Sequence, residues 1–368
     1  MPDAWRIQGA RGSLLTFALV LSGGVFAAES TPDWQLWTRS TSQSYAEPVS
    51  VYSAFHDLEG EFTRGDEAFT HNQIEVGASR GQFSLAVIAR YDFNIKAHAD
   101  TIELVHADQN NLPVDLDREY QLNAAFNQIT SMGVRLDYQY QPSENFDLNV
   151  AVSLLQANRH YFGNIEGSIA NTADNIYKGE ATIDYSYSSD PLLNRRVTEP
   201  NGYGYAVDMS ARWRPSQHVR VVLTAHDWAH RIYWDNAPFT RADITSATVT
   251  FDENGYIGTV PLLSGIEGEH DLRQRLPART DLDIRLLLRP GLELELGAFN
   301  VDSITLPRLG FRWNTDAGNE WFLNFSTESE AFTLGLVRNR LSFHLGLDSL
   351  DYQEAHFFAF GFKYIHPL

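Results

Sequence analysis

The sequence predicts an all-β chain that closes into a transmembrane, antiparallel up-and-down β-barrel of about fourteen strands, within limits of roughly twelve to sixteen. Three observations predict it. Strand-length segments alternate apolar and polar residues over most of the chain, so each presents one greasy and one polar face. Past residue 27 no apolar run reaches the roughly 18–20 residues of a spanning helix, so any membrane crossing needs a closed sheet that pairs its own backbone. Finally, the segment Phe358-Ala359-Phe360-Gly361-Phe362-Lys363-Tyr364 sets an aromatic at every second position and stops four residues before the end of the chain.

That last segment resembles the closing strand of Gram-negative outer-membrane β-barrels, the porin-like class, although His366-Pro367-Leu368 stands where a terminal aromatic is usual. The resemblance covers residues 47–366 and is to the class, with no particular family singled out. It implies an outer-membrane location, an even strand number, contact with outer-membrane lipid and lipopolysaccharide, and recognition of the last strand by the barrel-assembly machinery. An N-terminal secretory signal over 1–27 fits the same route: Arg6 and Arg11 precede an apolar run from Leu14 to Phe26 that ends in Val25-Phe26-Ala27. Residues 28–46 then read as a short periplasmic segment and 47–366 as the barrel. The fatty-acid-transporter barrels share the strand number, but the few residues before the first strand are too short for the hatch that closes them.

Alternation places the strands. Ile74, Val76 and Ala78 lead across Ser79-Arg80-Gly81 to Phe83, Leu85, Val87, Ala89, Tyr91 and Phe93, which reads as a hairpin. Three later hairpins turn at Pro142-Ser143-Glu144-Asn145, Pro215-Ser216-Gln217-His218 and Arg289-Pro290-Gly291. Proline presets the turn dihedral and donates nothing to a ladder, so it marks where each strand stops. Short strands follow around Phe311, Leu323, Leu334 and Leu345, and a weak first strand at Val49, Val51, Ser53 and Phe55 would pair with the last. Starting inside, the short turns at 79–81, 141–145, 214–218, 289–291, 314–319 and 337–340 all fall on the periplasmic side. Long extracellular loops then occupy 96–128, 157–202 and 231–279. Phe83, Tyr138, Tyr140, Phe146, Trp213, Trp313 and Trp321 lie beside the short turns, where an interfacial aromatic girdle belongs. Ala181 to Tyr187, and Val249 with Phe251 before Asn254-Gly255, alternate inside the long loops; they stand either above the membrane or as two more spanning strands.

The faces opposite the apolar stripes are charged, and they supply the candidate pore-lining residues. These are Glu75, Arg90, Asp92, Arg135, Asp137, Asp208, Arg212, Arg220, Asp283, Arg285, Glu293, Glu295, Arg308, Arg312, Asp348 and Lys363. Their signs nearly balance. Burying so many charges in a dry core costs several kcal/mol each, whereas a water-filled bore leaves them hydrated. The net charge of −19 therefore gathers in the outer loops, at Asp100, Glu103, Asp108, Asp115, Asp117 and Glu119 and again at Glu267, Glu269 and Asp271. Such a surface disfavours nucleic acid.

No cofactor or metal is expected. His226 and His230 lie on a strand, which puts their rings roughly 13 Å apart, and no acidic loop has the spacing of a calcium loop. The absence of cysteine excludes a disulfide framework. The function expected is passive diffusion of small hydrophilic solutes, saccharides among them. Two other readings stay open: an accessory barrel that secretes a polymer such as an exopolysaccharide with partners at its long loops, and a lipid-modifying enzyme with Ser53 and His56 at the rim.

Overall fold

The computed structural model describes residues 34–54, 58, 60–173, 176–190, 195–246, 249–251, 257–259, 262–315 and 318–367. The signal read at 1–27 lies outside these residues. In chain order the elements are β1 (Trp34–Ala46), α1 (Val51–Ala54), β2 (Glu67–Arg80), β3 (Phe83–Ala97), α2 (Ala99–Gln109), β4 (Glu119–Ser143) and β5 (Phe146–Ala173). There follow β6 (Ile176–Tyr187), β7 (Asn201–Ser216), β8 (Val219–Thr245), β9 (Val249–Phe251), β10 (Ile257–Thr259), β11 (Leu263–Gln274) and β12 (Arg279–Arg289). The chain finishes with β13 (Leu292–Val301), β14 (Ile304–Asn314), β15 (Glu320–Ser326), β16 (Phe332–Arg338), β17 (Leu341–Leu347) and β18 (Phe357–Ile365).

Fourteen of the strands form a closed antiparallel ring, in the order β1 to β5, β7, β8 and β12 to β18. Closure comes from β18, whose residues from Phe357 to Ile365 pair with Tyr45 to Trp37 of β1. The joint differs from the sequence expectation. Its first strand is Trp34–Ala46, inside the segment read as periplasmic, while Val51–Ala54 forms one helical turn and Phe55 lies outside the described residues. The reason is chemical: the outward positions of β1 carry Thr38, Ser40, Ser42 and Ser44, so the strand shows no apolar period. Those small hydroxyl residues stand opposite Tyr364, Phe362, Phe360 and Phe358 of β18, whose rings supply the apolar cover. Two of the hydroxyls bond to the next strand, Ser42 Oγ to Asn72 Oδ1 at 2.6 Å and Ser44 Oγ to Thr70 Oγ1 at 2.5 Å.

The wall is of unequal height. β4, β5 and β8 run for 25, 28 and 27 residues, whereas β15, β16 and β17 have seven each. Much of what reads in the sequence as the loops 157–202 and 231–279 is therefore strand. The outer half of β5 leaves β7 and pairs with β6, which also pairs with the outer half of β8, and β11 pairs with β8 on its other side. Ala181 to Tyr187 thus belong to an extension above the ring and add no spanning strand. Val249 and Phe251 lie in β9, which pairs only with β10 among the described residues; the Asn254-Gly255 turn falls outside them. The segment 96–128 holds α2, which is tied back by its neighbours: Asn110 Nδ2 donates to Leu58 O at 2.9 Å, and Arg118 donates to Glu103 at 2.8 Å and Asp100 at 2.9 Å.

Short turns gather at one end. Gly81 is one of them and adopts φ +57°, a left-handed conformation that explains glycine there. Outward residues above these turns form an apolar band, with Leu85 59%, Leu154 62% and Phe343 37% exposed. At the short-turn edge of the band Phe83 and Tyr138 approach to 5.0 Å, Phe146 stands opposite Trp213, and Trp313 stands opposite Trp321.

Candidate functional site: a braced bore beneath an outer cavity

The inward faces of the ring carry a charged layer that is paired and buried. Arg90 of β3 reaches over the three strands β4, β5 and β7 to Asp227 of β8, with Nη1 and Nη2 each 2.8 Å from a carboxylate oxygen. This is the bidentate geometry in which a guanidinium and a carboxylate bind most strongly. On its own strand Arg90 Nε donates to Asp92 at 3.1 Å, and Asp92 in turn meets His71 Nδ1 of β2 at 3.1 Å. From the far side Arg279 of β12 donates to Asp227 at 2.6 Å. The result is one continuous brace from β2 to β12 through the middle of the bore.

A backbone irregularity makes the brace possible. The β7–β8 register shifts between Val207 and Met209, and Asp227 sits in the bulge with φ 53°. A bulge re-aims a side chain, and here it turns Asp227 inward, where its backbone N–H donates to Asp208 at 2.8 Å. Asp208 also takes a hydrogen bond from Arg135, which donates to Asp137 at 3.1 Å. Around the rest of the wall Arg39 donates to Glu75 at 3.0 Å, Arg308 to Asp281 and Asp283 at 2.5 Å, and Arg312 to Glu295 at 3.0 Å and to Glu320.

The expected pore-lining residues divide accordingly. Glu75, Arg90, Asp92, Arg135, Asp137, Asp208, Asp283, Glu295, Arg308 and Arg312 join these ion pairs. Arg212 stands 3.7 Å from Asp147 near the short turns, and Lys363 pairs in register with Arg39 and remains exposed. Arg220, Arg285 and Glu293 share the inward face of β8, β12 and β13. Asp348 has a different place: its carboxylate accepts from the backbone N–H groups of His356 at 2.9 Å and Phe357 at 3.0 Å, so it caps the approach to β18. Sequence reasoning missed Arg39, His71, Asp227, Asp281 and Arg279. Arg39 hid in a strand without apolar period, and Asp227 in a segment whose alternation breaks at the bulge. The two histidines beside it go separate ways: His226 Nδ1 is 3.6 Å from Asp208, while His230 Nδ1 accepts from Leu276 N at 3.2 Å.

Farther toward the long-loop end, apolar side chains meet across the ring. β2 and β13 have six strands between them whichever way the ring is followed, yet the rings of Phe69 and Phe299 lie 5.8 Å apart. Tyr45, Val301, Ile304, Leu306 and Phe357 complete a buried cluster around them. Beside it Lys96 Nζ donates to Glu67 and to Ser303, each at 2.5 Å, which fastens the β13–β14 turn to β2 and β3. An open, water-filled bore was expected; among the described residues side-chain contacts cross it at two levels, Arg90 to Asp227 and Phe69 to Phe299.

Above these crossings, inside the tall side of the wall, lies a cavity of about 540 Å³. Phe126, Phe162, Tyr185 and Leu272 give it apolar walls, with Asn127 and Ser186 among its polar groups. Behind its lining Phe126 stacks on Tyr161 at 4.0 Å, and Tyr161 meets Tyr185 edge-on at 6.0 Å. Of the charges at its edge, Arg241 pairs with Asp184 at 2.5 Å and Lys96 with Glu67, and Asp302 also lines it. His160 lies beneath Ser186 in the extension, its Nε2 2.9 Å from Ser186 Oγ and its Nδ1 3.0 Å from Ser188 Oγ. Burial, aided by the nearby His270, pushes its pKa down to about 3, so the ring is neutral at pH 7.

A closed antiparallel ring of even strand number, a greasy outer band edged with aromatics and a charged interior together decide the class. The chain is a Gram-negative outer-membrane β-barrel. Among solved structures it is similar to the CymD monoaromatic hydrocarbon channel, at 8% identity and a TM-score of 0.45 over 92% of this chain and 89% of that one. It is also similar to a TodX deletion mutant described as a monoaromatic hydrocarbon channel, at 8% identity and 0.44 over 92% and 91%. A third is a Pseudomonas aeruginosa FadL homologue, at 8% identity and 0.31 over 90% and 87%. No protein-family model and no curated protein matches the chain.

Proposed function

We propose that this barrel is a selective outer-membrane channel for small, largely apolar molecules that carry one polar group, and that the outer cavity receives them. The observation that carries the reading is the aromatic-walled cavity standing directly above a bore crossed by Arg90–Asp227 and Phe69–Phe299. Its volume of about 540 Å³ is that of a small-ligand site; Phe126, Phe162, Tyr185 and Leu272 offer apolar surface to a ligand, and side chains such as Asn94, Asn127, Asn164 and Ser186 offer hydrogen bonds to its polar group. Free diffusion of saccharides needs an unobstructed aqueous bore, and the two crossings stand against it. The lipid-enzyme reading gains nothing: Ser53 is buried with its hydroxyl 3.0 Å from that of Ser50, and His56 lies outside the described residues.

Uptake separates the possibilities. Gram-negative cells lacking their own channels for the probes should, on expressing this barrel, accumulate a radiolabelled neutral monoaromatic alcohol severalfold faster than cells carrying an empty vector. Uptake of a labelled disaccharide should stay at the vector level. Faster disaccharide entry with unchanged aromatic entry would overturn the reading in favour of a hydrophilic pore.

A further inference from the structure

Near the short turns the inward face holds an arrangement that the braces do not explain. Arg220 of β8 stands directly opposite Arg285 of β12 in the antiparallel register, so two guanidinium groups face the bore side by side. Like charges directly opposite on one face of a sheet are destabilising. Neither is properly answered by the protein. Among the described residues the only ion-pair partner of Arg285 is Glu295 at 4.0 Å, and that carboxylate is held more closely by Arg312 at 3.0 Å. Arg220 joins none of the ion pairs among the described residues. The Nε of each is buried without a hydrogen-bond partner, as is Oε2 of Glu293, which stands beside Leu287 one step nearer the turn. The nearby carboxylates outnumber the arginines, but Glu295 and Glu320 are drawn to Arg312 and Asp281 and Asp283 to Arg308, so what Arg220 and Arg285 lack is a partner within hydrogen-bond reach. The neighbouring cation Arg212 is half exposed, so solvent reaches this end of the bore.

We propose that the bore face of Arg220 and Arg285 binds a small oxyanion, the carboxylate or phosphate group of a solute passing the short-turn end. An oxyanion with two or more acceptor oxygens accepts from two guanidinium forks at once, satisfying the unpaired Nε donors and relieving the repulsion between them. The site lies at the opposite end of the bore from the aromatic cavity. It is tested without transport, so it stands or falls apart from the channel reading.

The experiment follows thermal unfolding and calorimetric binding of the detergent-folded full chain with orthophosphate or sodium benzoate at constant ionic strength. The unfolding midpoint of the wild type should rise saturably with at least one of them. Arg220→Gln and Arg285→Gln should each weaken binding about tenfold, a loss of about 1.4 kcal/mol, and neither should unfold earlier than the wild type in anion-free buffer. Arg212→Gln, which changes a cation already paired with Asp147, should keep the response. A response to orthophosphate alone assigns the site to free phosphate, and one to benzoate alone assigns it to a carboxylate-bearing solute. No response in the wild type to either anion, or a response undiminished in both glutamine variants, overturns the proposal. If a glutamine variant fails to fold, Arg220→Lys keeps the charge without the planar fork and should bind more weakly than the wild type; equal binding again overturns it.

Discussion

Asp227 is the residue on which the interior depends most. It is buried and holds Arg90 and Arg279 at once; without it Arg90 keeps only Asp92, and Arg279 loses its one ion-pair partner among the described residues. Breaking a buried pair by removing one partner leaves an uncompensated charge and costs about 3–5 kcal/mol. Asp227→Ala should therefore lower the free energy of unfolding by that order, read as a lower denaturant midpoint at unchanged slope, and Arg90→Ala similarly; unchanged midpoints would show the brace to be incidental. His160 makes a prediction of opposite character, in pH. Its folded pKa lies below its unfolded value, so the unfolded chain binds the extra proton and stability falls as pH drops from about 6.5 toward 3. Hydrogen exchange in β6, measured from pH 7 to pH 4 and corrected for the intrinsic rate, should show protection lost over that window, and His160→Asn should flatten the loss. Equal protection at both ends would contradict the assignment.

At the scale of elements, the chain was legible wherever one face of a strand is lipid-exposed and the other is not. That condition holds for β2, β3, the inner half of β4 and β5, β7 and β12 to β18, and there alternation and turn chemistry put strands and turns close to where they lie. It fails in β1, where Thr38, Ser40, Ser42 and Ser44 face outward under the aromatics of β18, so a spanning strand carries no apolar stripe. It fails again above the membrane, where β6, β11 and the outer halves of β5 and β8 have no lipid to face and both sides become mixed. The candidate site follows the same division. Charges on well-alternating strands were found as a set, but partners were not, because a contact such as Arg90–Asp227 spans 137 residues and depends on a bulge. β1 offers a direct test. Thr41 pairs with Gly361 on one side and Gln73 on the other, so a proline there removes a ladder bond from a strand flanked on both edges. Thr41→Pro should abolish heat-modifiable migration on gels, while Ser53→Pro, in the turn that the sequence reads as strand, should leave it intact.

For the whole molecule, the proposed function rests on the balance between charge and closure in the bore. A bore lined by charges of both signs suggested water, yet the same charges brace the ring once their partners are known. The apolar contact of Phe69 with Phe299 then pinches the bore on the side of the outer cavity. Steady planar-bilayer conductance tests this most directly. The folded wild type should carry little steady current, and a variant combining Phe69→Ala, Phe299→Ala and Arg90→Ala should carry a stable ohmic current severalfold larger. A large, steady ohmic current through the wild type, unchanged in that variant, would contradict a braced bore.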